Sequence, residues 1–164
     1  MASRAHQRQE QAASLLQAAA GEPIRAICRC TGPSVGADGT GVAVVGVAGA
    51  MASRAAAQRI AARRAEASDG LPGIFYLAVT DTRVLIFGEH AARAEPDPAA
   101  RVGAWPRQAV LATDRRSRRL GTQFTLTLPG RRPVSVKAVT GGFAAWPADA
   151  VDALAGGSDS PKDA

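Results

Sequence analysis

Two short runs rich in β-branched and aromatic residues lie only two positions apart, IFYLAVT at 74–80 and RVLIFG at 83–88. Such residues are enriched in strands, and the two residues between the runs, Asp81 and Thr82, leave room only for a tight turn. The sequence therefore predicts a β-hairpin over 74–88. This hairpin is the strongest constraint on the fold, because the other predicted strands must be arranged around it.

The segment IRAICRC at 24–30 alternates between two faces. One face is apolar and consists of Ile24, Ala26, Cys28 and Cys30, and the other consists of Arg25, Ile27 and Arg29. This pattern predicts a half-buried strand. The chain has no second cysteine pair that could complete a zinc site, and free cysteine is among the most buried residue types. We therefore expect the two cysteines to be buried and reduced.

Three more strands are predicted in the second half of the chain. Residues 104–113 form the first, and Pro106 confines its start to a sheet edge or a bulge. Residues 120–128 form the second, and its inward-facing residues are Phe124, Leu126 and Leu128. Residues 134–139 form the third. The proline-containing segment 89–103 is predicted to be a loop.

Helices are predicted towards both ends of the chain. Residues 1–21 contain the first, because 5–20 are good or fair helix formers and Gly21 supplies the stop. The segment GGFAAWPADAVDALAGG predicts a closing helix that begins near Pro147. Its buried stripe would consist of Phe143, Val151 and Leu154. The tail at 157–164 is too polar to pack and is predicted to be disordered.

The uncharged stretch GTGVAVVGVAGAMAS at 39–53 raises the question of a membrane span or a phosphate loop. It has 15 residues, fewer than the roughly 20 that cross a bilayer. Gly41 and Gly46 have the spacing of a phosphate loop, but Val47 and Ala48 replace the lysine and the hydroxyl residue that such a loop needs. Neither site is therefore expected, and no cofactor is indicated.

A packing role for this stretch remains, as part of a Gly/Ala-rich helical insertion over 39–68. In a helix its small residues would form one ridge that lets another element approach closely, and these are Gly49, Ser53, Ala57, Ala61 and Ala65. Such a row is also expected from composition alone. Whether 39–53 begins as a strand or as a helix stays open.

The net charge of +6 is unevenly distributed. Residues 101–137 contain nine basic residues and a single acid, Asp114, whereas the flanking segments are acidic. A basic segment of this kind can attract anionic lipid, nucleic acid or an acidic protein, although a solvated surface has the same composition. The candidate anion-binding residues are Arg115, Arg116, Arg118 and Arg119.

No catalytic motif is found. The two histidines, His6 and His90, have no partner at the spacing of a catalytic or metal site, so no enzyme is expected. The first residues are polar and lack the apolar core of a secretory signal. We therefore expect a cytoplasmic protein, with peripheral association with the membrane as an open alternative.

The run FYLAVTDTRVLIFGEH, followed by AWPRQAVLAT, FTLTLPGRRPVSVKAV and a short final helix, resembles the bacterial pleckstrin-homology-like (PH-like) domain proteins, particularly those of high-G+C bacteria. The hairpin is the most specific part of this resemblance, which covers about 24–30 and 74–156. It implies an α+β fold over 22–156: a seven-stranded antiparallel sandwich or partly open barrel capped by a C-terminal helix, without enzymatic activity. Since the patterns above fall one strand short of seven, a further strand is expected near 42–47.

Two functions are compatible with these features. The first is a non-enzymatic PH-like interaction module that binds a protein partner, or a second copy of itself, through its sheet or its insertion. The second is an anion-binding module that docks its basic 101–137 segment on anionic membrane or nucleic acid. The basic pattern of the lipid-binding eukaryotic relatives is missing from the first hairpin loop, so phosphoinositide binding does not carry over from the resemblance.

Overall fold

A computed structural model describes residues 4–32, 69–90, 92–118, 121–139 and 153–154 of the chain. Its regular elements are helix α1 (Arg4–Ala20) and strands β1 (Ile24–Thr31), β2 (Ile74–Thr80), β3 (Arg83–Glu89), β4 (Pro96–Pro106), β5 (Leu111–Arg118), β6 (Gly121–Thr127) and β7 (Val134–Val139). A single 3₁₀ turn, Arg107–Ala109, connects β4 to β5.

The described strands form one antiparallel sheet in the order β4-β3-β2-β1-β7-β6-β5. Its two halves, β1–β4 and β5–β7, are joined by a short pairing in which Cys30 and Thr31 of β1 lie opposite Ala138 and Lys137 of β7. The sheet is not closed, because β4 and β5 remain its two edges. The architecture is that of a partly open β-sandwich, as predicted at this coarse level.

The main core lies between the two halves of the sheet. Alternate residues of β2 and β3 point into it, and so do alternate residues of β6 and β7. Its largest members are Phe75, Leu77, Ile86, Phe124 and Leu126. The buried Leu154 also packs here, as the sequence predicted for this residue.

The opposite face of β1–β3 is apolar as well and carries helix α1. Ala12, Leu16 and Ala20, which are spaced by one helical turn, pack against this face. Their partners in the sheet are Ile27, Tyr76, Ala78, Leu85 and Phe87. Strands β2 and β3 are therefore buried on both faces, which explains why their sequences are almost continuously apolar.

Arg83 fastens the end of α1 to the β2–β3 hairpin. The helix stops at Gly21, which has a φ of +70° that favours glycine. The guanidinium of Arg83 donates from Nη2 to the carbonyl of Ala20 at 2.8 Å, and from Nε to the carboxylate of Glu22 at 2.6 Å. The Thr82 hydroxyl donates to the same carboxylate. These contacts fix where the helix lies along the hairpin.

One strand prediction is wrong. The chain does not form a single strand over 104–113, because β4 ends at Pro106 and β5 begins only at Leu111. Strand β4 itself starts at Pro96, inside the segment predicted to be a loop. Prolines are tolerated there because an edge strand does not need all of its N–H groups. With these two strands in place of one, the described part of the chain contains seven strands.

The other predictions within the described residues are confirmed: the helix over 5–20, the strand over 24–30, the 74–88 hairpin and the strands over 120–128 and 134–139. The strand expected near 42–47, the insertion with its ridge of Gly49, Ser53, Ala57, Ala61 and Ala65, most of the closing helix and the 157–164 tail lie outside the described residues.

We expect Leu16→Ala to lower the free energy of unfolding by about 2–5 kcal/mol, because it leaves a cavity between α1 and the sheet. The matched control is Leu15→Ala, one residue earlier on the same helix, where the side chain is 40% exposed. That substitution should change the free energy of unfolding by no more than about 0.5 kcal/mol. Urea denaturation measures both, and equal effects would show that α1 does not pack through Leu16.

We expect the stabilising effect of Glu22 to depend on pH. Hydrogen bonds from Arg83 and Thr82 lower the pKa of Glu22 in the folded protein. A lowered folded pKa contributes stability above the unfolded pKa, about 4.3, and this contribution is lost as the pH falls through the folded value. Glu22→Gln should therefore be less stable than the wild type at neutral pH, and the difference should shrink at about pH 3. A pH-independent difference in urea denaturation would contradict this.

Candidate interaction edge

Strand β5 is an exposed edge of the sheet. Among the described residues only β6 pairs with it. Leu111 at its start is 51% exposed, and all residues from Thr113 to Ser117 are exposed as well. An edge strand presents unpaired N–H and C=O groups along its free side, and these can accept a further strand. The edge that extends from Leu111 to Arg118 is therefore a surface for strand addition.

A β-bulge at Asp114 sets the direction of the side chains on this edge. Thr113 lies opposite Thr125, and Arg116 lies opposite Gln123, so that β5 contains one residue more than β6 over this interval. Asp114 has a φ of +53°, in the left-handed region that aspartate tolerates. Its carboxylate accepts a hydrogen bond from the Thr125 hydroxyl at 3.2 Å. The bulge thus places Thr113 and Arg116 on the same face of the sheet.

That face is the outer face of the β5–β7 half, because Gln123 alternates with the buried core residue Phe124. A row of polar side chains crosses it, with Arg116 opposite Gln123 and Gln123 opposite Lys137. Neighbouring strands lie about 4.8 Å apart, so Arg116 and Lys137 are roughly 10 Å apart across the sheet. Among the described residues, neither cation forms an ion pair with a carboxylate.

The other arginines singled out by the sequence have different positions. The RRSRR run at 115–119 connects the strands predicted over 104–113 and 120–128, so the sequence predicts a turn there. This prediction is wrong for the first part of the run, because Arg115, Arg116 and Arg118 belong to β5. Arg115 is exposed and has its own interaction partner. Arg118 is the last residue of β5 and lies opposite Gly121. Arg119 lies outside the described residues.

Arg131 and Arg132 lie in the connection between β6 and β7, beyond the end of β6 where Leu111 is paired. This is the end of the strand opposite to Arg118, so the two groups of arginines do not form one patch. Arg131 has a structural role: it lies over the Trp105 ring, 5.6 Å from the ring centroid, and donates to the Asp69 carbonyl at 2.7 Å. It therefore joins β4 to the other half of the sandwich.

The opposite edge of the sheet, β4, is better protected. It contains Pro96, Pro98 and Pro106, which cannot donate to an added strand. Helix α1 also contacts β4. A shallow cavity of about 220 Å³ lies between them and is lined by residues of both signs of charge, including Arg8 and Glu95. Its volume is below the range of about 300–1,000 Å³ that is usual for small-molecule sites.

A second group of polar side chains lies beside β3 and is structural. Arg29 and Glu89 form a bidentate ion pair with distances of 2.5 and 2.9 Å. The Tyr76 hydroxyl donates to the Ala94 carbonyl at 2.8 Å. Burial, reinforced by the negative charge of Glu89, raises the pKa of Tyr76 to about 12. The phenol is thus protonated at neutral pH, and its hydrogen bond holds the connection between β3 and β4.

The two cysteines are free and buried, as predicted, and their sulfur atoms are 3.5 Å apart. The neighbouring Cys28 thiol, together with burial, raises the pKa of Cys30. Since the thiolate is the reactive form, Cys30 has the properties of a core side chain rather than of a nucleophile.

Within the described ranges, no three His, Cys, Asp or Glu side chains come together as metal ligands. His90 is exposed, and its Nδ1 accepts a hydrogen bond from the backbone of Ala92. No helix in the described part of the chain is long and apolar enough to cross a membrane.

The sequence identified Arg116 as a candidate but not its partners in the row. Gln123 and Lys137 are separated from it by 7 and 21 positions, and only the strand register brings them together. The edge position of β5 was missed as well, because the clustered prolines of β4 signal only the opposite edge of the sheet. A scan of protein-family models, a search of curated proteins and a search of solved structures each found no match to this chain.

Proposed function

We propose that the chain is a non-enzymatic PH-like interaction module that binds a protein partner by accepting an extended segment of it along β5. The open edge from Leu111 to Arg118 is the observation that carries this proposal. In strand addition the backbone of the edge supplies hydrogen bonds, and the side chains at alternate positions supply specificity. Both components are present at β5.

The PH-like part of the proposal is supported by the architecture. Seven antiparallel strands in two halves, with the first strand next to the last, agree with the fold that the sequence resemblance implies. The buried Leu154 lies against the main core, where a closing helix of such a fold would pack. Helix α1 is an addition on the outer face of the other half, and it leaves β5 free.

The choice of β5 over β4 follows from the contrast between the two edges. An added strand at β4 would meet prolines, and α1 contacts this strand. At β5 it would meet exposed side chains and no proline between Leu111 and Arg118. Net gains of about 0.5–1.5 kcal/mol for each backbone hydrogen bond favour the binding of a segment of several residues, and they offset part of the cost of ordering it.

The partner is a different protein rather than a second β5 edge. Strand β5 contains three arginines and one aspartate, so that two copies paired along this edge would bring together two segments that each have a net positive charge. Segments of like charge repel each other. The arginines thus act against self-pairing at this edge while they leave it open to a partner of another composition.

A second candidate function, docking of the basic 101–137 segment on anionic membrane or nucleic acid, is favoured by the exposed Arg116 and the half-buried Lys137 on one face. Against it, two other cations of the segment are engaged: Arg131 with Trp105 and Asp69, and Arg107 with the Ala153 carbonyl. Co-sedimentation with anionic vesicles and with DNA at two salt concentrations tests it. Absence of binding at low salt would exclude this function.

We expect a partner captured from a cell extract and identified by mass spectrometry to slow hydrogen exchange of the backbone amides in β5. At a partner concentration ten times the Kd, amides newly paired with the partner should exchange about tenfold more slowly. Strand β4 is the internal control, and its amides should be unaffected. A partner that binds tightly but leaves the exchange of residues 111–118 unchanged would contradict strand addition at this edge.

A further inference from the structure

We infer that the segment that binds at β5 is acidic, with carboxylate side chains at alternate positions on the outer face of the sheet, beside Arg116. This inference rests on the proposed strand addition and specifies the chemical class of the partner. It is carried by the register of the β5–β7 half, which determines the side chains that an added strand would meet.

An added strand would lie about 4.8 Å from β5, and one of its outward-facing residues would lie beside Arg116. Thr113 is on the same face, separated from Arg116 by the bulge, and Leu111 lies opposite Thr127 on this face too. The outward-facing positions of the partner therefore lie next to the cation of Arg116, the hydroxyl group of Thr113 and the exposed apolar side chain of Leu111. A carboxylate next to Arg116 would gain a charge-assisted hydrogen bond that an amide or an apolar group could not match.

The positions between them would face the core side. There the neighbours are Ala112, which packs partly against the main core, and Ser117, which lies opposite the buried Thr122. Both side chains are small and uncharged, and the two charged bulge residues, Asp114 and Arg115, lie between them along the strand. The two small side chains leave room for small or β-branched residues of the partner, so the segment that fits β5 alternates acidic residues with such residues.

The outer face of the β5–β7 half carries more positive than negative charge. Its one carboxylate, Asp114, already accepts a hydrogen bond from Thr125. Lys137 lies two strands away from β5 in the same row and adds a second positive charge without contacting the added strand. A carboxylate of the added strand would therefore be attracted most strongly beside Arg116.

Nucleic acid fits this surface less well. Proteins that bind single strands provide aromatic side chains on which bases stack. Between 111 and 139 the only aromatic residue is Phe124, and it is buried in the core. Trp105, the nearest aromatic residue earlier in the chain, is occupied by Arg131. An acidic peptide needs none of these and uses the edge itself.

The test uses three fluorescently labelled eight-residue peptides in which Thr alternates with Glu, Gln or Lys, and anisotropy measures their binding to the full chain. We expect the Glu peptide to bind at concentrations up to about 1 mM and to bind about tenfold more tightly than the Gln peptide. Arg116→Glu should weaken binding of the Glu peptide about tenfold and make the Lys peptide the preferred one. Arg116→Gln should have an intermediate effect.

Arg132→Glu is the matched control. It makes the same change in net charge at an exposed arginine that lies in the β6–β7 connection, beyond the opposite end of the strands from Arg118. It should change binding of the Glu peptide by less than about twofold. Circular dichroism and the thermal midpoint establish that each variant is folded, and hydrogen exchange of residues 111–118 with bound peptide reports strand addition independently of charge.

The outcomes separate the two proposals. Equal binding of the Glu and Gln peptides, with slowed exchange in β5, would overturn the acidic preference and leave strand addition in place. Binding of the Glu peptide without slowed exchange in β5, or no binding of any peptide, would overturn both. Equal weakening by Arg116→Glu and Arg132→Glu, with single-stranded DNA competing equally well for both variants, would show general attraction of anions and overturn the acidic-strand inference.

Discussion

The structure depends on burial of the β2–β3 hairpin on both of its faces. Alternate residues of the hairpin, such as Phe75 and Leu77, enter the main core, while the residues between them, such as Tyr76 and Phe87, are covered by α1. A hairpin that is apolar on both faces cannot be stable at the surface, so it requires a second layer on each side. The β5–β7 half supplies one layer and α1 supplies the other. The hydrogen bonds of Arg83 then fix the helix to the turn of the hairpin.

This arrangement makes the two halves of the sheet different. Helix α1 covers the outer face of β1–β3 and also contacts β4. The described elements leave the outer face of β5–β7 uncovered, and its residues are accordingly polar, among them Gln123, Thr125 and Ser135. The half that no described helix covers on its outer face is also the half that ends in an exposed edge. The proposed binding surface is therefore a consequence of where the helix packs.

The sequence was informative where the signal is local. Alternation of side chains identified β1 and β6, and continuous apolar runs identified the hairpin, because burial acts on each residue independently of the order of the strands.

The sequence patterns gave wrong predictions for the two edge strands, whose structure depends on their position in the sheet. Pro96 and Pro98 indicated a loop, since the pattern does not show that β4 is an edge strand on which an N–H can be missing. The bulge at Asp114 interrupts the alternation of β5, so that its arginines resembled a turn. The row that joins Arg116 to Lys137 depends on register, which no local pattern contains.

The charges on β5 explain how an open edge can avoid non-specific strand pairing and still accept one class of partner. Natural sheets protect exposed edges with basic side chains and with bulges. Strand β5 has both features, namely its arginines and the bulge at Asp114. Such protection is not equally effective against every strand. It acts against apolar strands, which would have to desolvate the guanidinium groups, and against basic strands, which they repel. A strand with carboxylates beside Arg116 pairs with the guanidinium group, so it neither leaves this group desolvated without a partner nor is repelled by it. In the proposed strand addition, the features that prevent indiscriminate pairing at this edge also favour an acidic partner.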